Sequence, residues 1–142
     1  MEVAPGELFD RLSIIQLKSE RLDNPNVVNN ELTELQQAYE EIESEHQTLT
    51  VNCKDMVSLL KIINGYIWDL ESDIRRGKEK QLGLEEVGRR ALMIRDLNSV
   101  RVWTKNLVTK ATGKGPIEYK KDHASEIAKH ADSIVEQMAF VK

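Results

Sequence analysis

Along most of this chain apolar residues return at alternating steps of three and four. That is the period of a helix with one buried face, and no segment alternates as a strand would. The first predicted helix opens at Pro5, where a missing N–H costs nothing, and runs to about Leu22 before Asp23-Asn24-Pro25-Asn26 breaks it. Its row of Leu8, Leu12, Ile15 and Leu22 reads as ordinary core. Val28, Leu32, Leu35, Tyr39, Ile42, His46 and Leu49 form a second seam, flanked by Glu31, Glu34, Glu40, Glu41, Glu43 and Glu45. A third helix begins near Asn52, a capping residue, and continues through Met56, Leu60, Ile63, Ile67, Leu70 and Ile74. Two such seams with a short connection predict an antiparallel hairpin. The polar stretch Gly77 to Gly83 ends it, a fourth helix follows from about Leu84 to Ala111, and Gly113-Lys114-Gly115-Pro116 stops that one. A fifth, from about Asp122 to Phe140, carries a narrow row of Ala124, Ile127, Ala128, Ala131, Ile134, Val135 and Met138. That row suits close approach to another helix of this chain or of a second subunit. The expected fold is all-α, an antiparallel bundle of about five helices built on a long coiled-coil-like hairpin. It is one domain over residues 1–142, with 122–142 available for self-association in a homodimer or higher homo-oligomer.

The fourth helix breaks its own pattern. Val87, Ala91 and Ile94 run down one face, and the same face continues through Asn98, Arg101, Val102, Lys105 and Val108. Charges occupy a core-facing row only when acids of neighbouring helices or an anionic ligand compensate them. Two more polar columns lie beside core rows. On the first helix Asp10, Ile14, Leu17 and Arg21 flank the core, with Glu7, Arg11 and Lys18 in the arc between, so Asp10 and Lys18 are bracketed by apolar neighbours. On the third, Asn64, Trp68, Glu71 and Arg75 stack in one column.

Brought together, these columns describe a pocket for a small anion, a nucleotide or phosphorylated metabolite. Arg101 and Lys105 would hold the anion, Arg with a planar fork and Lys as a compact charge. Asn98 and Glu71 would read polar edges, Trp68 would pack on a flat moiety, and Asp10 with Lys18 would brace the pocket. The same residues equally describe a structural network, with Asp10 paired to Lys18 and Glu71 to Arg101, fixing helix register in a protein-interaction module. Non-catalytic binding of the small anion is the expected function, with the structural module as the alternative.

With 40% hydrophobic and 31% charged residues among 142, and only 3 Pro and 7 Gly, the chain has the makings of a single core. Its net charge of −4 argues against a general nucleic-acid binder. No apolar run has the length to cross a bilayer, and Met1-Glu2-Val3 opens no signal peptide. A single cysteine, Cys53, leaves no intrachain disulfide, so a reducing, cytoplasmic setting is expected. No pattern calls for a cofactor.

Pro5-Gly6-Glu7-Leu8, then Asp10-Arg11-Leu12-Ser13-Ile14-Ile15, Lys18 and Glu20-Arg21, resemble the opening of a small helical family of unknown function found in bacteria and tailed phages. Ile67-Trp68-Asp69-Leu70-Glu71 with Asp73-Ile74-Arg75 resembles its second block. Asn98, Arg101 and Lys105, with Ile117-Glu118 and Lys120, resemble its third. The similarity covers most of residues 4 to 121, and the segment after Lys121 departs from it. It implies a shared fold and shared polar columns, no reaction, and, for a phage-encoded chain, the host cytoplasm.

Enzymatic alternatives rest on partial patterns. Helical nucleotide pyrophosphohydrolases hold Mg²⁺ with Glu-Glu-x-x-Glu on one helix and Glu-x-x-Asp on another. Here Glu40-Glu41-Ile42-Glu43-Ser44 misplaces the third Glu, and Glu71-Ser72-Asp73 is one residue short. Helical chorismate mutases enclose a dicarboxylate between Arg and Lys from several helices, roles open to Lys18, Arg101 and Lys105, but the spacing differs. His123, Glu126 and His130 share a face at a spacing zinc ligands adopt, although solvated surface gives the same pattern. No catalytic or metal-binding residue is therefore assigned, and an enzyme is the less expected outcome.

Overall fold

Pro5 starts α1 (Pro5–Arg21), with Glu7 in its first turn and Lys18 and Arg21 in its last, as the helix dipole favours. The structure, a computed structural model, describes residues 3–47, 51–113, 115 and 117. A 3₁₀ turn (Pro25–Val28) leads to α2 (Asn29–Glu45), followed by α3 (Cys53–Arg75), the single-turn α4 (Glu79–Leu82) and α5 (Leu84–Thr112). The molecule is an all-α bundle; the described residues contain five α-helices, one of them the short α4 inside the stretch read as a connection. The predicted helix over 122–140 lies outside the described residues.

α1 is the central helix, packed against α2, α3 and α5. Most of its circumference is therefore buried: Leu8, Phe9, Leu12, Ile15 and Leu17, together with the polar Asp10 and Ser13. Phe9, off the predicted row, is enclosed and meets the Tyr39 ring edge-on at 5.1 Å between centroids. Leu22, on that row, caps the helix in extended conformation and is exposed. The two seams do not build the scaffold as a paired hairpin, because α2 packs chiefly on α1, whereas α3 is shared between α1 and α5. The buried stripe of α3 is rotated accordingly. Cys53, Val57, Leu60, Ile63, Asn64 and Ile67 are inside, whereas Met56, Leu70 and Ile74 are half-buried.

Local chemistry accounts for the helix ends. Asn52 accepts a hydrogen bond from the Asp55 backbone N–H at 3.1 Å, satisfying an orphan donor at the start of α3. α2 ends at Glu45 with His46 as its C-cap, short of the predicted Leu49, which lies outside the described residues. Within α2 only Tyr39 is fully buried. Its hydroxyl donates to Glu43 at 2.6 Å, and burial with this bond pushes the phenol well above its ordinary range. Gly113 closes α5 in the left-handed conformation, φ +69°, which an L side chain resists.

α1 and α5 touch backbone to backbone at Gly6. A Cβ there would lie 2.1 Å from the Lys105 carbonyl oxygen, and the Gly6 N–H donates to Thr109 Oγ1 at 3.2 Å. Seventeen residues give α1 a length of about 25 Å against about 43 Å for the 29 residues of α5. Hydrogen bonds and ion pairs tie α1 to α5 at Arg101, Lys105 and Thr109. The N-terminal half of α5 rests on the C-terminal half of α3, leaving a two-helix ribbon past Asp69, the α3 residue that Arg21 at the end of α1 still reaches. That ribbon explains why Ala91, expected on a buried face, is exposed and Val87 and Ile94 are only half-buried. No helix among the described residues is long and apolar enough to cross a membrane.

Candidate functional site

Three helices each contribute to one polar cluster, but only part of each column joins it and the partners differ from those expected. Asp10, on the α5-facing side of α1, has a side chain only 1% exposed. Arg101 of α5 grips it with both prongs, Nε to Oδ1 at 2.9 Å and Nη2 to Oδ2 at 2.5 Å. Asn64 of α3 donates to the same Oδ1 at 2.9 Å and to Ser13 Oγ at 2.9 Å, while the Ser13 hydroxyl donates to the Asp10 carbonyl. One turn along, the Lys105 ammonium sits 2.7 Å from Glu7 and 4.0 Å from Asp10. Glu7 also accepts from Arg11 Nε at 3.1 Å. Burial pushes the Glu7 carboxyl up, but Lys105 and Arg11 together outweigh it and hold the group below its usual value.

The cluster therefore joins α1, α3 and α5 at one level with acids and bases facing each other. A bidentate guanidinium–carboxylate pair fixes distance and orientation together, so it sets the register of α1 against α5. Asp10, Arg101 and Lys105 are brought together as expected. Asn98 is half-buried, one turn before Arg101 on α5. Lys18 is exposed and does not pair with Asp10 as the register reading expected, because eight residues of one helix set them about 12 Å apart along its axis. Glu71 pairs with Arg75 on its own helix, and not with Arg101. Trp68 is half-buried between two guanidinium groups, Arg21 at 5.5 Å and Arg75 at 5.9 Å from its ring centroid. The expected site is thus divided into a part-buried ionic cluster and a separate Trp68 group toward the end of α3.

Sequence reasoning missed three members of the cluster as such: Glu7 as the partner of Lys105, Asn64 as a donor to Asp10, and Ser13. It also missed a second feature. Between α3 and α5 runs a furrow of about 600 Å³, lined by Tyr66, Leu70, Met93, Leu97 and Val100 and rimmed by charged residues. Arg90 spans it, donating to the Leu70 carbonyl and to Asp73 at 3.4 and 3.3 Å, and also pairs with Glu86. Arg89 and Arg90 hold the Glu86 carboxyl down at about 2. Tyr66 is 59% exposed, Met93 41% and, beside the furrow, Ile62 57% and Leu92 55%. The available signal was a second α3 stripe, Ile62, Tyr66, Leu70 and Asp73 at helical spacing, off the core row.

Among the described residues no group of three or more His, Cys, Asp or Glu side chains is placed to hold a metal ion. His123, Glu126 and His130 lie outside the described residues. Glu40, Glu41 and Glu45 line an acidic notch on α2 with Gln37 and Ser44. Cys53 is a buried free thiol, pushed up by burial and by the nearby Glu43 carboxylate. No protein-family model, no curated protein and no solved structure matches this chain.

Proposed function

We propose that this chain is a non-catalytic helical interaction module that binds an apolar helical surface through the α3/α5 furrow, with the Asp10–Arg101 cluster as its internal register pin. One contrast carries the reading. The α3/α5 furrow open to solvent is mainly apolar, whereas Arg101 and Lys105 are directed at Asp10 and Glu7 of the same chain. Two antiparallel helices with an apolar trough between them are suited to a third helix laid along them. Exposed Tyr66 and Met93 are the side-chain types that anchor such contacts.

Binding of a nucleotide or phosphorylated metabolite at Arg101, Lys105 and Asn98 is the competing proposal. It requires a ligand anion to displace Asp10, a nearly solvent-free carboxylate that would then lose both guanidinium bonds. Removing a buried charge's partner costs about 3–5 kcal/mol, so such a ligand starts at a disadvantage.

A photo-crosslinking residue in place of Tyr66, in the full chain and in the cell that produces it, separates the two. Interaction through the furrow gives a discrete adduct from position 66, suppressed by Met93→Asp and not seen from position 40 on the far side of α2. Equal labelling from both positions, or none, contradicts it. In parallel, a nucleotide and phosphometabolite panel is screened by thermal shift. A ligand that raises the midpoint of the parent but not of Arg101→Met favours the anion reading instead.

A further inference from the structure

One column of α5 changes environment midway along the helix. Leu92, Arg95, Ser99, Trp103, Asn106 and Lys110 follow at steps of three and four, so they share a flank. Leu92 and Arg95 are exposed. From the next turn on the flank is covered: Ser99 and Asn106 are each 5% exposed, and Trp103 and Lys110 are half-buried. The described helices do not account for this cover. α1 is tied to α5 at Arg101, Lys105 and Thr109, α3 meets it at Leu97, Val100 and Val108, and α4 adjoins its start. All of those residues lie on other flanks. The excess is plainest from Thr104 to Thr109, a run buried without a break and therefore enclosed on every side. α1, with three helices around it, still leaves Glu7, Arg11, Ile14 and Gln16 half-buried.

We infer that this flank is the docking surface for the chain's own residues 122–140, which lie outside the described residues. Their row of Ala124, Ile127, Ala128, Ala131, Val135 and Met138 has the period of the flank, and its alanines permit close approach. The flank suits an apolar cover. The Ser99 hydroxyl donates to the Arg95 carbonyl of its own helix and asks nothing of a partner. The Trp103 indole nitrogen is buried and has no hydrogen-bond partner among the described residues, so what encloses it excludes water. Connection lengths favour the same chain. After the left-handed Gly113, Gly115 packs on Ala4 and on Thr109, so the chain leaves α5 alongside it. Residues 118–121 reach about 13 Å, and a helix over 122–140 measures about 28 Å, against about 17 Å from Lys110 to Ser99. So short a tether holds the segment at millimolar effective concentration, which favours it over a second copy. The furrow opens on another flank of α5, at Met93, Leu97 and Val100, and this docking leaves it free.

The test is heteronuclear NMR of the two tryptophan indole N–H signals in the full chain, Trp103 as reporter and Trp68 as control. A nitroxide is attached at Ser133→Cys, off the apolar row, in a Cys53→Ala background. It is expected to broaden Trp103 strongly and leave Trp68 the sharper signal. Isotope-labelled chain without nitroxide, mixed with unlabelled chain carrying it, should keep Trp103 sharp. Ala128→Asp and Ala131→Asp each place a charge in the row. Each is expected to abolish the broadening and to speed Trp103 exchange with water at least about tenfold. An unchanged Trp68 signal in these variants shows that the rest of the bundle keeps its fold. Lys129→Glu, on the other side of the segment, leaves both signals as in the parent. A Trp103 signal that the nitroxide does not broaden, or a broadening that survives both aspartates, overturns the inference. Broadening in the mixed sample assigns the cover to a second copy and overturns it equally. Should the aspartates disturb Trp68 as well, the nitroxide result, which perturbs no contact, decides.

Discussion

Replacing Arg101 with Met strips Asp10 of two of its three side-chain hydrogen bonds and leaves the one from Asn64. Hydrogen bonds to a charged group contribute about 1.5–3 kcal/mol each, so two represent about 3–6 kcal/mol gross. Two features reduce that. The Lys105 ammonium still lies 4.0 Å from Asp10, and the Arg101 side chain is 29% exposed, so part of its attraction is screened. The expected loss is about 3 kcal/mol, near the lower end for breaking a buried pair and equivalent to roughly 10 °C in midpoint for a domain of this size. The companion change Asp10→Leu leaves Asn64 its bond to Ser13 and lets the partly exposed Arg101 hydrate. The double variant should therefore be only about 1 kcal/mol below the parent, because packed apolar residues replace an ion pair at little cost. Urea unfolding of all four proteins gives the coupling energy directly, expected at about 2 kcal/mol or more. An Arg101→Met variant within about 0.5 kcal/mol of the parent, or strictly additive effects, would refute the register-pin account.

Other substitutions test separate parts of the structure. Gly6→Ala drives a methyl into the Lys105 carbonyl at 2.1 Å and should cost about 3 kcal/mol by separating α1 from α5; a near-parental thermal midpoint would contradict that contact. Tyr39→Phe removes the bond to Glu43 and should cost about 1 kcal/mol at neutral pH. Because the folded chain holds the Tyr39 proton above the ordinary value of 10.0, the unfolded chain ionises first, and stability falls as pH rises past that point. The Phe variant should lose that part of the alkaline slope in unfolding titrations, and an unchanged slope would show Tyr39 is not its source. Asn52→Ala deletes the α3 cap and should cost about 1 kcal/mol by the same unfolding assay, with no change expected if water replaces the cap.

The four long helices α1, α2, α3 and α5 were legible from periodicity alone, though not the single-turn α4, and so was the cluster's location, since Arg101 and Lys105 interrupt an apolar row and do face Asp10 and Glu7. Partner choice was not. Asp10 lies on the same helix as Lys18 but pairs with Arg101, ninety-one positions away, because the closeness of α1 to α5 is set at Gly6 and Thr109. Nothing in helical phase encodes that contact. The hairpin expected from two matched seams gave way for a related reason. α1 buries residues around most of its circumference, which places it between α2 and the rest, and a single-stripe reading understates such a helix. Tyr66 and Met93 went unnoticed because each is off the row that periodicity highlights. They stand out only once α3 and α5 are seen packed side by side with the furrow between them.

The central claim, that the inward cations are committed to holding helices together, is tested most directly by heteronuclear NMR of the Arg101 side chain during titration with inorganic phosphate. A guanidinium clamped on Asp10 should show an Nε–H signal that exchanges slowly with water and keeps its chemical shift throughout. A saturable shift of that signal, with loss of its exchange protection, would contradict the claim and make Arg101 an anion-binding residue.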